Sequence, residues 1–112
     1  MDLSLKEINK IKRAYGYPKN SLFFGYILYF PEENEYLKSP ISYLNITSYL
    51  FSKVPDYSFL FYSHKDALLE SQSFVKPVMI GMLFRNEKNQ HVHLDGKIVN
   101  SVKFNIFKNI NL

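Results

Sequence analysis

Residues 78–107 read VMIGMLFRNEKNQHVHLDGKIVNSVKFNIF, and this stretch decides the fold. Residues 78–84 are an apolar run, residues 90–95 and 98–107 are apolar runs with polar positions interleaved, and two turn-forming tracts separate the three, RNEKN at 85–89 and Asp95-Gly96. Alternation with a period of two marks strands with one face toward a core. Asp-Gly between such runs signals a type I′ hairpin turn, which requires positive φ at both central residues; glycine meets that demand without a Cβ clash. The expected unit is an antiparallel three-strand meander with Ile80, Met82, Phe84, Val102, Phe104 and Ile106 facing the core.

Upstream, Ser4 and Glu7 form an S-x-x-E capping box, in which the Ser hydroxyl and the Glu carboxylate satisfy backbone donors at a helix start. Leu5, Ile8, Ile11 and Tyr15 recur at helical spacing, Lys10, Lys12 and Arg13 suit the negative end of the dipole, and Gly16 ends the helix. A helix over residues 5–15 follows. Residues 22–30, LFFGYILYF, are apolar or aromatic on both alternating faces, with Phe24, Tyr26, Leu28 and Phe30 on one and Phe23, Ile27 and Tyr29 on the other. Such a strand belongs in the middle of a sheet.

Residues 31–34 form a turn and residues 35–38 a short returning edge strand. Ser39 as N-cap and Pro40 at the first helical position predict a second helix up to Val54, although Asn45, Ile46, Thr47 and Ser48 are weak helix formers. Residues 57–62 read as a further strand. Ser63 caps a third helix over 64–73, with Asp66 in its first turn. Pro77 stands at the entrance to the next strand, where a missing N–H does least damage. The expected fold is α+β, a single mixed β-sheet with a C-terminal antiparallel three-strand meander and about three packed helices, in one domain over residues 1–112.

A chain of 112 residues is long enough for one core without a metal staple. It contains no Cys, which removes disulfides, thiolate metal sites and a Cys nucleophile and suits a reducing compartment. Residues 1–20 are charged throughout without an apolar signal core, and no run approaches the roughly 18 residues of a membrane span. The expectation is a soluble cytoplasmic protein without membrane association. Phe, Tyr, Ile, Asn, Met and Lys make up 53 of the 112 residues. Those amino acids have AT-rich codons, so base composition accounts for much of the aromatic and Lys content and points to an AT-rich microbe or a mobile element.

The formal net charge is +4, and it is unevenly placed. Residues 1–20 and 97–112 each carry +3, whereas residues 21–70 carry −3. Lys6, Lys10, Lys12, Arg13, Lys103 and Lys108 would make a basic surface if the first helix packs beside the last strand, which suits contact with phosphates or an acidic protein. Recognised nucleic-acid motifs are lacking, and Arg, the preferred bidentate base reader, occurs only twice.

The run His91-Val92-His93-Leu94-Asp95 is the one constellation suggestive of chemistry. On a strand, His91, His93 and Asp95 share a face, where two imidazoles serve as a general base and a general acid. It resembles the zinc motif H-x-H-x-D-H of metallo-β-lactamase-like hydrolases as far as Asp95, but Gly96 takes the place of the final His. Neither a metal nor that family's activity is carried over. The simpler expectation is a hairpin strand with its polar face in water. His64, at a helix start beside Lys65 and Asp66, is a second candidate for an anion contact, although Ser63 and Asp66 already explain that segment as a cap. No Ser has a nucleophile elbow around it, and four glycines are too few for a phosphate-cradling loop.

A small Cys-free chain rich in Tyr and Phe, with segregated charge and no cofactor fingerprint, fits a protein that binds and neutralises a protein partner, as a bacterial or phage immunity protein or an enzyme inhibitor does. Glu32, Glu33, Glu35 and Asp56 are the expected partner-binding residues, because a carboxylate cluster covers the basic site of a nucleic-acid-cleaving toxin. No cofactor is expected. The alternatives are a small metal-independent nuclease using His91 and His93, with Lys97 or Arg85 holding phosphate, or a nucleic-acid-binding domain.

Overall fold

The computed structural model describes residues 3–43 and 46–100, with backbone alone at 40–43, 46 and 47. The element order is α1 (Leu5–Ala14), β1 (Leu22–Phe30), β2 (Glu35–Tyr43), β3 (Ile46–Ser52), a 3₁₀ turn (Pro55–Tyr57), α2 (His64–Ser71), β4 (Met79–Arg85) and β5 (Gln90–Leu94). The fold is α+β, with one curled five-strand sheet in the order β3-β2-β1-β4-β5. Among the described residues every pairing is antiparallel, so the sheet they form is not mixed, and two α-helices stand there where about three were expected.

The capping box at Ser4 and Glu7 is formed as expected. At the other end of α1, Gly16 has φ 70°, the Gly16 N–H donates to Arg13 O, and the Tyr17 N–H donates to Lys12 O at 2.9 Å. This is a Schellman closure, which turns the chain back on the helix and aims Tyr17 at the sheet. Lys12 Nζ secures the next loop by donating to Lys19 O and Ser21 O at 2.8 and 2.6 Å.

β1 lies in the middle of the sheet, as its apolar content demands. Its alternation is broken by a bulge between Phe23 and Gly25, so Phe23 joins the Tyr26 face, with ring centroids 5.1 Å apart, and Phe24 turns outward. The expectation that Phe24 shares a face with Tyr26 is corrected by that extra residue. A Cβ on Gly25 would lie 3.0 Å from Phe61 O, and the bulge allows this close approach of the 58–61 segment. Tyr26 and Phe61 exchange backbone bonds at 2.9 and 2.8 Å, while the Phe59 N–H donates to Leu37 O. The expected strand over 57–62 is thus a 3₁₀ turn and an isolated bridge, inserted where β2 diverges from β1 after only two paired residues.

The helix expected over 39–54 is instead the β2–β3 hairpin. Ile46, Thr47, Tyr49 and Phe51 prefer a pleated surface, and Leu37 against Phe51 anchors the register. Pro40 is tolerated because, among the described residues, this part of β2 has a partner on one side only.

The core forms on one sheet face, from Tyr26, Leu28, Phe30, Leu37, Ile80, Met82 and Phe84 of the strands and Ala67 of α2, with Phe61 and Phe74 from the connections. Ile8 and Ile11 of α1 pack against the same cluster. Both helices therefore cover one face. Ile80, Met82 and Phe84 are buried as expected, whereas Val102, Phe104 and Ile106 lie outside the described residues.

The β4–β5 hairpin is formed, with Asn86 Oδ1 accepting the N–H groups of Lys88 and Asn89. The third strand of the meander is not present over its described part. Gly96 has φ 79°, but among the described non-glycine residues only Asn34 has a positive φ, so Asp95-Gly96 is not a type I′ turn. Asp95 Oδ1 accepts the Lys97 N–H, and the chain leaves the sheet edge. Val99 N then donates to Val78 O, and the buried side chain of Asn100 closes the α2–β4 loop. Its Oδ1 accepts from Val78 N, and its Nδ2 donates to Phe74 O and Lys76 O. Residues 101–107 of the expected strand lie outside the described residues. Among the described residues no helix is long and apolar enough to cross a membrane.

Candidate functional site

The four acids do not gather in one place. Glu32, Glu33 and Glu35 lie around the β1–β2 turn, where Glu35 pairs with Lys53 at 3.3 Å and Glu33 with Lys76 at 3.1 Å. Lys76 also lies over the rings of Phe30 and Phe51 at 4.5 and 4.2 Å. Glu32 is exposed. Asp56 belongs to the other end of β1, because its carbonyl accepts from Arg85 and Arg85 pairs in register with Leu22. Its carboxylate accepts from Gln90 at 2.6 Å.

Arg85 organises the surface at that end. Its Nε donates to Gln90 Oε1 at 3.2 Å, a terminal nitrogen donates to Asp56 O at 2.9 Å, and the guanidinium lies over the Phe24 ring at 5.4 Å. Leu22, Phe24 and Tyr57 are exposed to 66%, 41% and 63%, and Lys38 Nζ stands 5.5 Å over the Tyr57 ring. A cleft of about 550 Å³ is lined by Asn20, Leu22, Phe24, Arg85, Asn86 and Glu87. The last three residues also line an adjoining polar groove with Asp56 and Gln90. The bulge that exposes Phe24 leaves no mark on the alternation of the sequence, which is why this surface was not legible there.

β5 places its histidines on the helix-covered face. His91 is in register with Phe84 and His93 with Met82, both core residues. Val92 and Leu94 take the opposite face and meet Gly81. The strand is half-buried throughout, and the expectation that its polar face meets water is corrected, because that face lies under the α1 side of the sheet. Tyr17 stacks on His91 with centroids 4.8 Å apart and planes 19° apart, and Tyr15 tilts over His93 at 4.5 Å. His91 Nε2 is buried without a hydrogen-bond partner among the described residues. Burial lowers the His93 pKa from the usual histidine value, and the charge of Asp95 opposes that shift in part.

His64, His93, Asp95 and Tyr26 meet at one cavity of about 270 Å³. Leu3, Ile11, Ile80 and Met82 supply its apolar walls. The sequence singled out His64 and the His93–Asp95 pair separately; the fold brings them together. Tyr26 was not singled out, because none of nine tyrosines is distinguished by spacing. Its ring meets His64 edge to face at 5.6 Å, and its hydroxyl accepts the Leu3 N–H at 3.4 Å.

Arg85 lies on the opposite face from His91 and His93, following the alternation along β4 and β5, and Lys97 is exposed beyond the strand. No three His, Asp or Glu side chains among the described residues are placed to hold a metal ion. Of the basic residues, Lys6, Lys10 and Arg13 are exposed on α1, Lys12 is engaged with the loop carbonyls, and Lys103 and Lys108 lie outside the described residues. Comparison with protein-family models, curated protein sequences and solved structures found no match to this chain.

Proposed function

We propose that this protein acts by stoichiometric binding to a protein partner that it neutralises, in the manner of an immunity protein or an enzyme inhibitor. The observation that carries this reading is the surface around Arg85, where a bulge turns Phe24 out of a central strand and leaves it exposed beside Leu22 and Tyr57. Interfaces draw their energy from a few aromatic and Arg side chains ringed by polar groups, and grouped exposed apolar residues mark such surfaces. Asp56, Asn86, Glu87 and Gln90 supply the polar surround.

Of the acids first considered, Asp56 belongs to this surface and Glu32 is exposed apart from it. Glu33 and Glu35 already have lysine partners, so they add less to an electrostatic attraction. The nuclease alternative has less support, since Tyr17 covers His91 and Arg85 lies across the sheet.

Affinity capture from the native host, followed by reconstitution of the purified complex, tests the reading. The expected result is a stoichiometric complex that Phe24→Glu and Tyr57→Ala disrupt and Glu33→Ala leaves intact. Turnover of RNA by the purified protein, lost in His93→Ala, would replace it with the nuclease reading.

A further inference from the structure

The cavity enclosed by α1, the start of α2 and the β4–β5 pair is separate from the Arg85 surface. Its four polar residues come from four places in the chain: Tyr26 from β1, His64 from α2, His93 from β5 and Asp95 just past it. Phosphate and carboxylate ligands are held by Arg, Lys or clustered backbone donors, and among the described residues neither Lys nor Arg lines this cavity. Asp95 is the one acidic residue among the described residues that line it. The apolar walls on the other sides would leave an unpaired anion without a counter-charge.

We propose that this cavity is a binding site for a small organic amine, its apolar body against Leu3, Ile11, Ile80 and Met82 and its ammonium toward Asp95. The imidazole of His93, whose burial favours the neutral form, can accept or donate a hydrogen bond beside the ammonium, and His64 and Tyr26 complete the polar part of the lining. A volume of about 270 Å³ corresponds to roughly nine waters at about 30 Å³ each, which is room for a single ring with a short amine-bearing chain. The arrangement matches the general pattern of a largely apolar pocket with a few convergent polar groups. His91 does not line the cavity and serves as an internal reference.

Histidine ring NMR signals of the whole chain, followed during titration with 2-phenylethylamine at pH 7.5, test the proposal. Phenylpropionate and 2-phenylethanol, with the same ring and an anionic or neutral end, are the controls. The expected result is a saturable shift of the His64 and His93 signals with the amine, larger than any shift of His91. Affinity should fall about tenfold or more for both controls and for the amine in Asp95→Asn, whose Oδ1 still accepts from Lys97 and whose melting temperature stays that of the wild type. Absence of saturation with the amine, equal or tighter binding of phenylpropionate, or an unchanged amine affinity in Asp95→Asn would overturn the proposal.

Discussion

Tyr17 lies flat on His91, with ring centroids 4.8 Å apart and an angle of 19° between the planes. The contact joins the Schellman turn after α1 to the edge strand of the sheet, and Tyr17 also reaches Phe84 of the core at 5.4 Å. α1 has no fully buried residue of its own, so this ring is a main fastening of the helix. Tyr17→Ala should therefore cost about 1 to 3 kcal/mol, less than a fully buried aromatic because Tyr17 is half-exposed. Tyr17→Phe keeps the stack and should cost little. Urea unfolding of both variants checks this.

The histidine on the same strand gives a pH dependence. Burial lowers the His93 pKa from 6.5, with Asp95 opposing, so the unfolded chain binds the proton more readily than the folded one. The His93 contribution is fully present above the unfolded value near 6.5 and is lost as pH falls from there through the depressed folded value. Thermal unfolding between pH 7.5 and 5 should show stability declining over that window, and His93→Gln should remove part of the decline. A variant that declines as steeply as the wild type would show that other groups carry it.

Asn100 is buried and holds three backbone groups of the α2–β4 loop. Asn100→Ala leaves the Val78 N–H and two carbonyls unpaired, and should cost at least about 3 kcal/mol at about 1 to 3 kcal/mol for each buried unsatisfied group. Asn100→Asp keeps the acceptor for Val78 but sets a carboxylate against Phe74 O and Lys76 O, so it too should destabilise strongly. Chemical denaturation of both variants is the measurement.

Gly25 combines φ 153° with a Cβ position 3.0 Å from Phe61 O. Gly25→Ala should cost at least about 1 kcal/mol and should raise amide exchange at Phe61, whose N–H donates to Tyr26 O. Unchanged exchange at Phe61 would mean that the bulge does not govern the bridge.

The parts of the fold written in local signals were legible in the sequence. Ser4 with Glu7, Ser63 with Asp66, and the alternation of Met82 and Phe84 each act over a few residues, and each is where it was expected. The β2–β3 hairpin was misread because Ser39-Pro40 carries a helix-start signal, while the β-branched and aromatic residues that follow have a neighbouring strand to pair with. That is a tertiary preference overriding a local one. The outward turn of Phe24, the inward facing of His91 and His93, and the closing role of Asn100 all depend on what lies across the sheet. Of the candidate sites, the chemistry of His64, His93 and Asp95 was visible residue by residue; their meeting at one cavity with Tyr26 was not.

The functional reading stands on the surface that Phe24 and Arg85 share. Isothermal titration of the captured and purified partner into wild-type protein and into Phe24→Glu tests it most directly. The wild type should bind with fixed stoichiometry, and Phe24→Glu should weaken binding by about a hundredfold or more, as loss of a central anchor does, with its melting temperature little changed. Equal affinity of the two proteins, with both folded, would contradict the placement of the interface on this surface.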